Sequence, residues 1–311
     1  MAQSTTASAQ LLPLSYVHER RLPLRLLAWF ARFARHKPLG FVGLLIVLTL
    51  VLMAIFAPQL APYSPDKTDL KHHLAGSTAQ HRLGTDATGR DVLSRLIYGA
   101  RVSMMVGFGA VAISTLFATA LGMISGFRGG WFDAIVQRFV ESWQALPGLI
   151  ILITLMGIAR RMRGVNIVWA MILAIGILAI AGTSRVIRSA VIAIRGQPYV
   201  EAARALGADS PRLLLWYVLP NVLPIIFVIA TVGLGGVILL EASLSFLGFG
   251  PAGQPSWGQM LSVDGRDYMR VQPGLAVYPG LCIGAAVFGF NVFGDALRDI
   301  VDPRLRGQGR R

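Results

Sequence analysis

Few side chains in this 311-residue chain could carry covalent or metal chemistry, and their placement rules most of it out. A serine nucleophile working inside a membrane would need a histidine base beside it. All five histidines, His18, His36, His72, His73 and His81, precede the second long apolar stretch. The single cysteine, Cys282, excludes an intrachain disulfide and any site built from several thiolates. A phosphate-cradling loop requires Gly-Lys-Ser/Thr. The only lysines, Lys37, Lys67 and Lys71, are followed by Pro, Thr and His, and none is preceded by Gly. No catalytic or metal-ligating set emerges, and the chain cannot be its own P-loop ATPase.

What remains is the chemistry of recognition. The polar stretch 196–221, GQPYVEAARALGADSPRLLLWYVLPN, lies between two long uncharged runs. Pro198 suits the first turn of a helix and Gly207 a position just past its end. The intervening YVEAARAL is rich in helix formers, but at about nine residues it is too short to be stable alone. Ser210 as a capping oxygen followed by Pro211 predicts a second helix, which Pro220 and Pro224 should kink. The candidate recognition residues are Glu201, Ala202, Ala203, Arg204, Leu206 and Gly207, with the paired alanines admitting another surface close to the backbone. An ordinary polar loop with a chance helical turn is the competing reading.

Two further charged groups stand out. Glu241 lies near the end of an apolar run, where an acid is costly unless it faces the bundle interior or water. With Ser245 and Phe246 it is a candidate for lining a path or bracing a gate; the plainer alternative is that it reaches the membrane interface. Asp86, Arg90, Asp91 and Arg95 alternate in sign at near-helical spacing. They could bridge one another, face a partner, or form a solvated face of little energetic consequence. Asp295, Arg298, Asp299 and Asp302 offer the same choice.

Composition dictates the solvent of the elements that hold these groups. Hydrophobic residues make up 54% of the chain and charged residues 14%, and the mean hydropathy is +0.61. Such a chain must use the bilayer as its solvent. Its formal charge of +14 comes mostly from arginines in short segments beside apolar runs, which points to orientation in a membrane and not to nucleic acid. Apolar runs at 39–57, 102–127, 142–159, 164–184, 213–240 and 271–294 predict six crossings. The third is expected to begin earlier, near Asp133, with Arg138 and Glu141 at its polar end. With the N-terminus inside, about 18 Lys and Arg fall on inner segments and about 11 on outer ones, although Arg160, Arg161 and Arg163 run against the bias. Gly107, Gly109, Gly122 and Gly126 suit close helix packing. Ahead of the spans, residues up to Tyr16 have a disordered composition. Arg20 to Lys37, interleaved with Leu, Trp29 and Phe30, predict an amphipathic surface helix.

Glu201-Ala202-Ala203, three residues, Gly207, and then Leu219-Pro220 resembles the EAA loop of ATP-binding-cassette (ABC) importer permeases, with Tyr217 where Ile often stands. HRLGTDATGRDVLSRLIYGAR (81–101), GFRGGWFD (126–133), EASLSFLGFG (241–250), SWGQML (256–261) and FNVFGDALRDIVDPRL (290–305) extend the resemblance to the dipeptide/oligopeptide C-type permeases. Glu141 stands where that family often has Asp. The resemblance implies an all-α integral membrane fold, a six-transmembrane-helix bundle of the type I ABC importer permease kind, with both termini cytoplasmic. It divides the chain into an N-terminal tail and surface helix (1–38), a permease domain (39–305) and a C-terminal tail (306–311). Within the permease domain lie outer loops at 59–101 and 248–272 and the coupling loop at 196–221. It implies that Glu201 to Gly207 dock into an ATPase subunit. The implied partners are a second homologous permease, two ATPase subunits carrying ATP and Mg2+, and an extracytoplasmic substrate-binding protein. No cofactor is expected on this chain itself, and the location implied is a bacterial or archaeal cytoplasmic membrane. Di- or oligopeptides are the expected substrates, although related permeases serve glutathione and nickel chelates. A secondary transporter or channel is the alternative, but such proteins need ionisable groups near the midplane, where these spans are almost free of charge.

Overall fold

The computed structural model describes residues 33–35 and 37–301. The chain divides into two units, Met1–Pro38 and Leu39–Arg311. The disordered leader, most of the surface helix and the C-terminal tail expected from the sequence lie outside the described residues. Those that are described form helices α1 (Pro38–Ile55), α2 (Val92–Arg128), α3 (Gly130–Ala145), α4 (Gly148–Arg161) and α5 (Ile167–Arg195). There follow α6 (Pro198–Ala205), α7 (Leu219–Leu244), α8 (Trp257–Met260) and α9 (Gly274–Val301). Five stretches are long and apolar enough to cross a bilayer: Pro38–Ile55, Val92–Arg128, Ile167–Arg195, Ser210–Phe249 and Gly274–Ile300.

The third expected span is not one straight helix. α3 and α4 meet at a 79° bend and make a sixth crossing only if taken together. The cause is local: Pro147 disfavours helical geometry at the residue before it, and Leu146 is extended at φ −82°, ψ 135°. Other boundaries also differ from those expected. α2 starts at Val92, inside the predicted outer loop, because Asp91 caps it by accepting from the Ser94 N–H at 2.8 Å. The helix after α6 starts from Asp209, whose carboxylate accepts from the Arg212 N–H at 3.2 Å, so the cap lies one residue before the predicted Ser210. Where the sequence predicts a kink from Pro220 and Pro224, Ser210–Phe249 runs as one span that contains a π-helical stretch, Leu213–Val218. There the Leu219 N–H reaches back five residues to the Leu214 carbonyl, widening the turn just ahead of Pro220, which has no N–H to give.

Lipid tails give helices no hydrophobic reason to associate, so close packing must hold them. The tightest seam joins α2 to α5. A Cβ on Gly122 would stand 2.6 Å from the Ser184 carbonyl oxygen, and one on Gly126 would stand 2.9 Å from that of Arg188. Gly109 meets Ile172 on the same seam, whereas Gly107 faces Ile238 of α7. α9 packs on α7, and α1 closes against α9 where Gly43 meets the Gly289 and Phe293 backbone. Leu152, Met156, Met171, Ile172, Ile238, Trp257 and Phe290 form the shared core. Leu45, Leu116, Phe117, Phe227 and Leu281 point outward, as side chains solvated by lipid must.

Candidate functional site

α6 is the short helix expected within 196–221. Pro198 occupies its first turn, where a missing N–H costs nothing, and Glu201 lies in that first turn near the positive end of the helix dipole. It ends in a Schellman motif. The Gly207 N–H bonds the Arg204 carbonyl at 3.0 Å and the Ala208 N–H bonds the Ala203 carbonyl at 3.1 Å. Gly207 makes this possible at φ +88°, a conformation strained for any residue with a Cβ. Val200 and Ala203 are buried against Leu213, with Phe127, Ala208 and Tyr217 packed beside them. Glu201, Ala202, Arg204, Leu206 and Gly207 are exposed, Leu206 to 90%. The two alanines therefore divide: Ala203 anchors the helix to the bundle, and Ala202 belongs to the outward face. Beside α6, Asp209, Pro211, Arg212, Leu215, Trp216 and Tyr217 line a groove of about 540 Å3.

The elements under α6 are locked by charges. On α5, Ser184, Arg188 and Arg195 follow one face, opposite Gly122, Gly126 and Gly129 of α2 and its end. Arg188 Nε donates to Asp133 Oδ1 of α3 at 2.6 Å, and its Nη2 donates to Oδ2 of the same carboxylate. Ser125 of α2 donates to Asp133 as well. Two turns further along α5, Arg195 Nη1 donates to the carbonyls of Gly126 and Phe127 at 2.8 and 3.1 Å. It thus satisfies the carbonyls that the end of α2 leaves open. Only Gly129 stands between α2 and α3; it and the helix-opening Gly130, at φ +67° and +61°, make a tight corner within GFRGGWFD.

At the opposite end of the bundle, Glu241 is fully buried. Ser103 Oγ of α2 donates to its Oε2 at 2.8 Å, and Ser245 Oγ donates to its Oε1 at 2.7 Å. α8 covers this region: Trp257 is inserted against Gly99 and donates from Nε1 to the Leu96 carbonyl at 3.0 Å. Ser245 is buried with Glu241, whereas Phe246 is 44% exposed and stands apart from it.

Asp86, Arg90 and Arg95 come together close by. Asp86 accepts from Arg90 Nε at 2.6 Å and lies 3.5 Å from Arg95 Nε, and Arg90 also faces Asp264 at 3.9 Å. Asp91 points elsewhere, to His81 Nδ1 at 2.9 Å and to Ser94. Asp86, Asp91 and Arg95 are buried, so the sign alternation marks an internal ionic cluster and not a solvated face. Asp295 and Arg298 are exposed near the end of α9, and Asp302 lies outside the described residues.

Residues 118–307, more than half of the chain, match the family described as "Binding-protein-dependent transport system inner membrane component". The chain belongs to this family. Residues 26–76 of the permease match the "N-terminal TM domain of oligopeptide transport permease C". The permease is 40% identical over 278 residues to the dipeptide transport system permease protein of Alkalihalophilus pseudofirmus, covering 89% of each chain. It is 38% identical to the oligopeptide transport system permease protein of Bacillus subtilis, covering 88% of each. Its fold resembles a chain of the MetNI methionine ABC transporter, at a TM-score of 0.52 and 21% identity, covering 66% of this chain and 96% of that one. The permease thus has the type I ABC importer permease architecture and is a multi-pass membrane subunit of a transport system, not an enzyme.

Sequence reasoning missed several members of the permease's polar clusters. Arg188 and Arg195 counted only as orienting charges, although their seven-residue spacing places them on one helix face. Ser103 and Asp264 carried no local signal, because their partners Glu241 and Arg90 are 138 and 174 residues away in the chain.

Proposed function

We propose that this permease is one of two membrane subunits of an ATP-driven importer of di- or oligopeptides in a bacterial or archaeal cytoplasmic membrane. Its termini and α6 face the cytoplasm. The partners in this reading are a homologous permease, an extracytoplasmic binding protein that delivers substrate, and two ATPase subunits that hold ATP and Mg2+. The carrying observation is α6 itself, a helix too short to stand alone, anchored by Val200 and Ala203 and offering Glu201, Ala202, Arg204 and Leu206 outward. A surface so held can receive a push and pass it to α5 and α7 at its two ends. Similarity to dipeptide and oligopeptide transport permeases supports peptides as cargo. Glu241 and Ser245, having no exposed surface, brace the outer gate from behind and do not line the path.

Glu201→Lys places a cation where a basic group on the ATPase would pair, and Gly207→Val strains the cap by about 1–2 kcal/mol. Both variants should insert and pair with the second permease. Uptake of a labelled dipeptide by reconstituted vesicles should nevertheless fall about tenfold or more, the loss expected for at least 1.4 kcal/mol of coupling. Pull-down of the ATPase and its hydrolysis rate distinguish a detached motor from an idling one. Normal uptake by both variants, or uptake that needs no ATP, would overturn the reading.

A further inference from the structure

α5 leads into α6 through only Gly196 and Gln197, and this junction is stiffened by the Gln197 N–H bond to the Ile194 carbonyl at 3.0 Å. The buried face of α6, Val200 and Ala203, shares a cluster with Phe127, the penultimate residue of α2. Any displacement of α6 is therefore applied to α5 and α2 together. Whether it moves the spans or merely shears their ends depends on what ties those ends to one another. The contact face, where Gly122 and Gly126 admit close approach and Met123, Ile187 and Val191 are buried, is apolar, and apolar contact carries no directional bond.

The tie is ionic and directional. A bidentate Arg–carboxylate pair fixes angle as well as distance. Arg188 holds Asp133 by two parallel bonds, and the same carboxylate accepts from Ser125, so one acidic group joins α5, α3 and α2. Arg195, two turns on, grips the terminal carbonyls of α2. Asp133 is about one-tenth exposed and the Arg188 side chain a quarter, in a region otherwise open to water, where Gly130, Gln137, Arg138, Glu141 and Arg185 line a recess of about 550 Å3. A pair shielded to that degree is screened less than a surface pair.

We propose that Asp133 and Arg188 are positioning residues for coupling: with Ser125 and Arg195 they bind the inner ends of α2, α3 and α5 into one block, so that motion of α6 is delivered to the spans. The inference rests on the reading of α6 as the ATPase contact. Neither residue touches substrate or motor. Their work is to prevent slip between the helices that receive the push.

The test uses the full importer complex in lipid vesicles, with Cys282→Ala and spin labels at Arg138→Cys and Ser189→Cys, both exposed positions on α3 and α5. Inter-label distances are measured without nucleotide and with ATP–vanadate. In the otherwise unsubstituted chain one narrow distance should persist in both states. Asp133→Asn, Arg188→Gln and the milder Arg188→Lys should keep that distance without nucleotide. With ATP–vanadate the fraction of complexes holding it should fall about fivefold, the lower bound of a typical coupling energy. The Asn/Gln double variant should be no worse than either single one, because it leaves no charge unpaired.

Narrow distances in both states for all variants would overturn the proposal. So would spreading already present without nucleotide, or failure of even Arg188→Lys to reach the membrane, since each makes the pair a fold determinant only. Glu201→Lys is the control for the underlying reading. If that variant retains the ATPase and full activity, the assignment of α6 fails. If it loses them while Asp133→Asn behaves as unsubstituted, only the present inference fails.

Discussion

Asp86 and Asp264 share the same two arginines, yet their carboxyls shift in opposite directions. Burial pushes the Asp86 carboxyl up, yet hydrogen bonds from Arg90 and Thr88 and the Arg95 charge outweigh it and hold it below its ordinary value. Burial also pushes Asp264 up, the Asp86 charge pushes it further, and Arg95 and Arg90 only partly oppose this, so it stays raised. Proton linkage gives these shifts opposite signs. The Asp86 contribution is present above its unfolded value of about 4 and is lost as pH falls through the lower folded value. The Asp264 contribution is full below about pH 4 and is lost as pH rises through its higher folded value. Asp86→Asn leaves Arg95 buried beside a neutral group and should cost about 3 kcal/mol at neutral pH, as broken buried pairs do. Asp264→Asn should leave stability at neutral pH equal or higher and flatten its decline between acidic and neutral pH. Thermal unfolding of the detergent-solubilised permease across that range checks both; curves parallel to the unsubstituted protein would refute the assignment.

At the scale of elements, the α2–α5 seam is held by backbone proximity. Gly122→Ala should force α2 off Ser184 and cost about 2 kcal/mol, a typical overpacking penalty. Gly284→Ala in α9, whose Cβ would meet nothing within 4 Å, should be tolerated. Unfolding midpoints of the two variants, compared side by side, decide this. The spans were legible because long uncharged runs report burial in lipid directly. α6 was legible because Pro198 and Gly207 mark its ends by backbone chemistry alone. Three features were not. The first turns of α2 were hidden by Arg95 and Arg101, whose charges lower the hydropathy of a segment that folds as helix. The 79° bend depends on the residue before Pro147, a local effect that a hydropathy window averages away. The inward turn of Ala203 depends on Val200 and Leu213 meeting beneath it, a tertiary fact.

For the molecule as a whole, the proposed orientation makes Asp69 and Gln254 extracytoplasmic and Asp209 cytoplasmic. Single cysteines at these exposed or partly exposed positions, in a Cys282→Ala background, should react with an impermeant maleimide from outside at the first two and only after lysis at the third. Outside labelling at Asp209 would invert the topology. The clusters that join distant segments, Ser103 with Glu241 and Arg90 with Asp264, were illegible because only the assembled bundle brings them together. One helix links both ends of that assembly. α2 has 37 residues, which makes it about 55 Å long, against a hydrocarbon core of about 30 Å. α1, at 18 residues, is about 27 Å long and even with the four-residue helix Ala57–Leu60 that follows it reaches only about 33 Å. Bilayers of different thickness can therefore slide along α2 by extending or shortening its wetted ends, while α1 must be met by the lipid itself. Mismatch strain in thick membranes will concentrate on the side of the permease where α1 packs against α9, leaving the long helix and the clusters at its two tips unstrained.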